Sequence, residues 1–289
     1  MAERAGTQTV PSLDASDALK SCCAAAYEHE WARLLLGDSL HPGGLALTER
    51  LGELLDLPAG ATVLDVACGR GASAVHLARR FEWQVVGVDL GAANLKAASD
   101  AAAGAELSDR ARFVRGDGER LPVADGVFDA VISECALCTM PDKPSAVAEF
   151  ARVLRPGGVV GIADLTRGGE LPAELSTLLG WVACVADARP LEDYVALLGD
   201  SGLEPRATER HDAALAALVG DVRKKLLGAE VMARLGRLPV DAADLAGYPG
   251  MRENLATAKR LARVAEGAVR DGTLGYGIVV ATAPGRENR

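Results

Sequence analysis

The chain has 289 residues, a formal net charge of -9 and 25% charged residues, with an isoelectric point near 5.1. That charge repels a phosphate backbone, and no lysine and arginine stripe interleaved with aromatics relieves it, so a nucleic-acid partner is not expected. Apolar residues make up 49% and aromatics only 4%, so a core must be built from alanine, leucine and valine, which suits helices packed on a parallel sheet.

Residues 1–20 are small and polar without a sustained period and read as a flexible N-terminal tail, followed by one domain over 21–289. The opening segment lacks the apolar core of a signal peptide, and no run is long enough for a membrane span, so a cytoplasmic location with reduced cysteines is expected. Next come two stretches with helical spacing, CCAAAYEHEWARLLLG and LALTERLGELLDL, separated by the breaker run from His41 to Gly44.

From Ala61 onward short apolar runs alternate with amphipathic stretches: ATVLDVA, SAVHLARRF, QVVGVDL, an alanine-rich helix, RFVRGD, VFDAVISE, PSAVAEFARVL and GGVVGIADL. This alternation predicts βαβ units in an α/β, doubly wound sheet. Pro156 to Gly158 cannot continue a helix, so they end one and turn the chain into the next strand. The pattern then predicts a helix over 190–202, a strand over 203–211, and helices over 213–236 and 250–270 before GYGIVVATA supplies a final strand. The segment 213–270 thus reads as a helical insertion before the last strand, expected to cap an acceptor pocket.

The segment VLDVACGRGASAVHLA joins a strand, an acid, a Gly-x-Gly turn and a helix. Gly69 and Gly71 permit positive φ and let backbone amides approach a ligand. A dinucleotide fingerprint would want a third glycine where Ser73 or Ala74 stands. Asp89 ends the second strand about twenty residues on, where a carboxylate can accept from both ribose hydroxyls. Asp117 follows the third strand in RGDGERLP. Three acids at successive strand ends suit a nucleoside carrying a cationic sulfonium and amine, and disfavour a pyrophosphate.

On these motifs the run from Val63 to Asp164 resembles the class I S-adenosylmethionine methyltransferases, in the branch containing the ubiquinone/menaquinone and arsenite enzymes. The resemblance implies a Rossmann-like, seven-stranded sheet whose last strand is antiparallel. It implies S-adenosyl-L-methionine as cofactor and a small-molecule acceptor. By motif position, Asp65, Gly69 and Gly71 would face the methionine part, Asp89 and Leu90 the ribose, Asp117, Gly118 and Glu119 the adenine, and Glu134 the amino acid end. Tyr27 and the HPGG turn stand where such enzymes place a cofactor lid.

An oxygen or nitrogen acceptor usually requires a general base, and the chain has four histidines. His29 and His41 precede the sheet, His76 lies in the helix after the glycine turn, and His211 at a strand end is a candidate base. Cys135 and Cys138 follow the fourth strand in SECALCTMPDK, and Cys184 lies in WVACVADA. Cys135 and Cys184 resemble the arsenic-binding cysteines of arsenite methyltransferases, with Cys138 an addition to that pattern. Soft thiolates suit a trivalent metalloid, which could itself be the acceptor and needs no resident metal. Three alternatives stay open: an organic acceptor such as a natural product or quinone, with the cysteines as packing; an arsenical held by the cysteines; or a zinc-binding nucleoside sensor without catalysis.

Overall fold

A computed structural model of the chain describes residues 13–28, 30–176, 184–234 and 251–285. Helices α1 (Leu13–Glu28), α2 (Glu30–Leu36) and α3 (Gly44–Leu55) precede the sheet. The helix expected from about residue 21 begins at Leu13, so residues 13–20 are not tail. The cause is tertiary, because Lys20 is held by ion pairs to acids beyond the third strand. The first twelve residues lie outside those described. Leu47, Leu51 and Leu55 recur one turn apart on α3 and are buried together, the stripe that the spacing predicts.

The sheet follows as alternation predicts. Strands β1 (Thr62–Val66), β2 (Gln84–Asp89), β3 (Ala111–Arg115), β4 (Phe128–Glu134) and β5 (Leu154–Arg167) run parallel. Helices α4 (Ala72–Arg80), α5 (Ala92–Gly104) and α6 (Lys143–Val153) connect them. After α7 (Leu191–Asp200) come β6 (Glu204–Arg210), α8 (Asp212–Arg234), α9 (Met251–Arg270) and β7 (Leu274–Thr282), and β7 runs antiparallel between β5 and β6. The order is β3-β2-β1-β4-β5-β7-β6, a seven-stranded Rossmann-like sheet with an antiparallel last strand. α6 ends at Val153 and pairing begins at once at Leu154, before the Pro-Gly-Gly run, with a register irregularity opposite Phe128 and Ala130.

A strand covered on both faces must be apolar at every position, whichever way each side chain points. In β7, Ile278 and Val280 enter one core with Leu51, Leu77 and Ile132, while Val279 and Ala281 enter the other with Phe150 and Leu198. Strand order reverses between β1 and β4, and at such a switch point the carboxyl ends of the strands open a crevice. No helix among the described residues is long and apolar enough to cross a membrane.

One glycine of the β1–α4 turn is required by both backbone and space. Gly71 has φ +77°, and a Cβ there would lie 2.7 Å from Ala98 Cβ and 3.1 Å from Ala98 Cα. We expect Gly71→Ala to destabilise the domain by about 2–4 kcal/mol, combining left-handed strain with overpacking against α5. Urea unfolding measures the loss.

Candidate active site

The crevice above β1, β2 and β4 is built by strand ends. After β1 the chain turns sharply, with Ala67 at φ 59° and Gly69 at φ 51°, and Gly69 N donates to Asp89 Oδ2 at 2.9 Å. The other Asp89 oxygen accepts from Gly91 N at 2.7 Å. One carboxylate therefore braces the loops that follow β1 and β2. Burial is the main force pushing its pKa up, and these backbone donors oppose it.

Asp65 is buried, and its Oδ2 has no hydrogen-bond partner. Burial pushes its carboxyl well above the ordinary range, and the charges of Glu134 and Asp89 add to this. Glu134 accepts from Thr48 Oγ1 at 3.0 and 3.1 Å and stands 3.6 Å from His41 Nε2. The crevice thus concentrates acids with too few donors, which favours a ligand carrying positive charge.

Of the residues singled out in the sequence, Tyr27, Asp65, Gly69, Asp89, Leu90, Asp117, Gly118 and Glu134 line the crevice. Two expected there do not: Gly71 packs behind the turn, and Glu119 is turned to its neighbours. Asp117 and Glu119 hold Lys20 at 2.7 and 2.8 Å, and Glu119 also accepts from Asp142 N at 2.8 Å. At the other end of α1, Glu28 Oε1 accepts from Ala93 N at 2.8 Å. The sequence reading did not single out Lys20 or Asn94. Lys20 falls in the stretch read as tail, whereas Asn94, five residues beyond Asp89 at the start of α5, carried a local signal.

A second cavity of about 250 Å³ lies beside the crevice. Leu215, Val219 and Leu226 of α8 and Leu261, Ala262 and Ala265 of α9 line it, against Leu165 and Cys135 at the strand ends. Tyr27, Leu40 and Cys135 belong to both walls. Among the described residues lining this cavity, Tyr27 and Cys135 alone carry polar side-chain atoms. His211 lines neither cavity and pairs instead with Glu209 Oε2 at 3.0 Å.

Cys135, Cys138 and Cys184 converge, with all three Sγ atoms within 4.8 Å of one another. Tyr27 Oη lies 3.2 Å from Cys184 Sγ. Burial pushes the Cys138 thiol up. Hydrogen bonds from Cys135 and Cys138, with a further one from Tyr27, draw the Cys184 thiol down against its burial. Cys135 at φ 53° and Cys184 at φ 65° are both left-handed without being glycine, at a cost of about 1–3 kcal/mol each. Residues 177–183, which lead into Cys184, lie outside the described residues.

Asp164 sits beneath this cluster, accepting from Cys138 N at 3.0 Å and Leu165 N at 2.7 Å. Burial, followed by the Cys184 charge, pushes its carboxyl from 3.8 up to about 7. Between those values the folded chain holds a proton that the unfolded chain has lost, so stability falls as pH rises through the window. We expect this group to remove about 4 kcal/mol between pH 4 and pH 8. Urea titrations of wild type and Asp164→Asn at several pH values check it, since the variant lacks this decline.

Comparison with known proteins completes the picture. Residues 64–162 match the family model described as "Methyltransferase domain". The methyltransferase GfsG of Streptomyces halstedii is 38% identical over 58% of this chain and 61% of its own length. The 27-O-demethylrifamycin SV methyltransferase of Amycolatopsis mediterranei (strain S699) is 36% identical over 56% of this chain, again spanning 61% of that relative. Geranyl diphosphate C-methyltransferase of Streptomyces coelicolor A3(2), solved with Mg2+, geranyl diphosphate and S-adenosyl-L-homocysteine, shares the fold at a TM-score of 0.69. Its identity is 19%, over 95% of this chain and 99% of that one.

Proposed function

We propose, for a chain that carries a class I S-adenosylmethionine-dependent methyltransferase domain, that it transfers the cofactor's methyl group to an apolar organic small molecule held beneath α8 and α9. The observation carrying this is the shared wall: the acid-lined crevice and the apolar cavity meet at Tyr27, Leu40 and Cys135.

The crevice residues fit the cofactor. Asp65 Oδ2 is a buried acceptor without a donor, which the ammonium of a methionine moiety satisfies. This reading gives the ribose hydroxyls to Asp89 at the end of β2, and Gly118 leaves room beside Met140, whose Cε would lie 2.7 Å from a Cβ there. When bound, S-adenosylmethionine supplies an electrophilic methyl on a sulfonium. The chain's own task is to hold an acceptor in line with it and to keep water out, and positioning of this kind supplies much of a displacement's acceleration.

The acceptor cavity selects by what it lacks. No lysine or arginine lines it among the described residues, so a phosphorylated acceptor finds no counter-charge there, while an apolar skeleton buries its surface against leucine, valine and alanine. The nucleophilic group of such a molecule belongs at the Tyr27 and Cys135 end. The acceptor in the printed name of the Amycolatopsis mediterranei relative, 27-O-demethylrifamycin SV, agrees with this reading.

A second reading rests on the three sulfurs, whose convergence suits a trivalent arsenical bound by Cys135 and Cys184 with Cys138. It is the weaker, because Cys138 and Cys184 line neither cavity. One assay tests both: methyl-labelled cofactor offered with apolar phenols and macrocyclic alcohols, with phosphoethanolamine, and with arsenite. Label in the apolar acceptors is expected. Label in phosphoethanolamine alone, or in arsenite alone with loss in Cys184→Ser, overturns the organic reading.

A further inference from the structure

We propose that Cys135, Cys138 and Cys184 form a resident site for a soft d10 cation, zinc or cadmium, set into the wall beside the acceptor cavity. The site does not depend on which acceptor is methylated.

Geometry comes first. The three Sγ atoms lie within 4.8 Å of one another, whereas tetrahedral zinc with its sulfurs at about 2.3 Å requires them about 3.8 Å apart. The cluster therefore needs to contract by no more than about 1 Å, and less for the larger cadmium ion. The ligands reach it from two places: Cys135 and Cys138, with two residues between them on the segment after β4, and Cys184, brought in from beyond β5. Tyr27 Oη, 3.2 Å from Cys184 Sγ, supplies an oxygen within reach of a fourth position.

Two further observations separate this cluster from sulfur used as packing. A buried thiol that merely fills space has no call for an unusual backbone, yet Cys135 and Cys184 both occupy left-handed conformations. The surroundings also hold polar groups positioned around the sulfurs. Lys143 Nζ donates to the Cys138 and Met140 carbonyls at 3.3 and 3.0 Å and pairs with Asp187. Asp164 fixes the amide of Cys138 itself. Groups that orient ligating residues in this way are the usual outer support of a metal centre.

Cys138 and Cys184 are each 1% exposed, so the ion would be shielded from competing water. It would tie the end of β4 to the segment before α7, and α1 would join them through Tyr27. The wall of the acceptor cavity would then be fixed by coordination as well as by packing.

The test is a titration of the reduced, metal-stripped full chain with cadmium, read by thiolate-to-cadmium charge-transfer absorption. One equivalent is expected to saturate the signal, with zinc displacing it. Cys138→Ser and Cys184→Ser should each weaken binding at least about a hundredfold, while Cys22→Ser, at an exposed cysteine, should leave it unchanged. A cooperative urea-unfolding transition like that of wild type confirms that each variant is folded. In wild type, cadmium should also protect these three cysteines from alkylation in a mass-spectrometric footprint. Absence of the absorption, or its persistence in both serine variants, would overturn the proposal. Neither methyl donor nor acceptor enters the titration, so failure of the proposed methyl transfer leaves its result readable.

Discussion

Asp89→Ala should weaken binding of S-adenosylmethionine and S-adenosylhomocysteine by a hundredfold or more, about 3 kcal/mol, through two lost charge-assisted hydrogen bonds to the ribose. The same substitution leaves Gly69 N and Gly91 N without the carboxylate they now reach at 2.9 and 2.7 Å. Stability should therefore fall as well, by about 1–3 kcal/mol for each amide left without a partner. Asp65→Asn separates the two effects. Its unpartnered, buried oxygen holds no loop together, and removing the charge relieves a desolvation cost, so stability should be held or raised while affinity for a cationic cofactor drops. Calorimetry with both nucleosides, beside urea unfolding, gives four affinities and two stabilities for the two variants. An Asp65→Asn protein that binds S-adenosylmethionine as tightly as wild type would remove the methionine-end role assigned to it.

Ala262→Trp should abolish turnover of an apolar acceptor, lowering kcat/KM by at least about a hundredfold, while cofactor affinity stays within about twofold. Ala262 is 8% exposed on α9 and lines the cavity of about 250 Å³. An indole there takes up space in a cavity that no strand-end acid lines. The variant thus distinguishes an acceptor bound beneath α8 and α9 from one bound elsewhere along the crevice. Unchanged kcat/KM would place the acceptor outside this cavity. A parallel loss of cofactor binding would mean that α9 supports the crevice itself.

The parts of the molecule that were legible in the sequence are those whose signals are local. Strand and helix alternate in hydrophobic period over a few residues, and the period survives whatever packs against it, so the βαβ pattern from Ala61 and the helices near 213–236 and 250–270 could be read directly. The glycine turn and its acids were legible for a related reason. A strand that ends at the crevice puts its last residues there, so Asp65, Asp89 and Glu134 were placed by strand position alone. Glu119 misled because position after a strand does not fix where a side chain turns. It faces Lys20 and the Asp142 amide.

What only the tertiary structure decided are the contacts between segments that share no local period. Lys20 meets acids 97 and 99 residues away, which is why a stretch that reads as tail is helix. Tyr27 meets Cys184 across 157 residues, and the two helices before β7, read from their place in the chain as a cap, enclose an apolar cavity whose lining only their packing sets. The sequence by itself determined the sheet and its glycine turn, because backbone hydrogen bonding and side-chain period act over a few residues. The lining of the apolar cavity and the distances among the three sulfurs depended on how whole elements pack, because burying their apolar faces sets distances between residues that the chain alone leaves free.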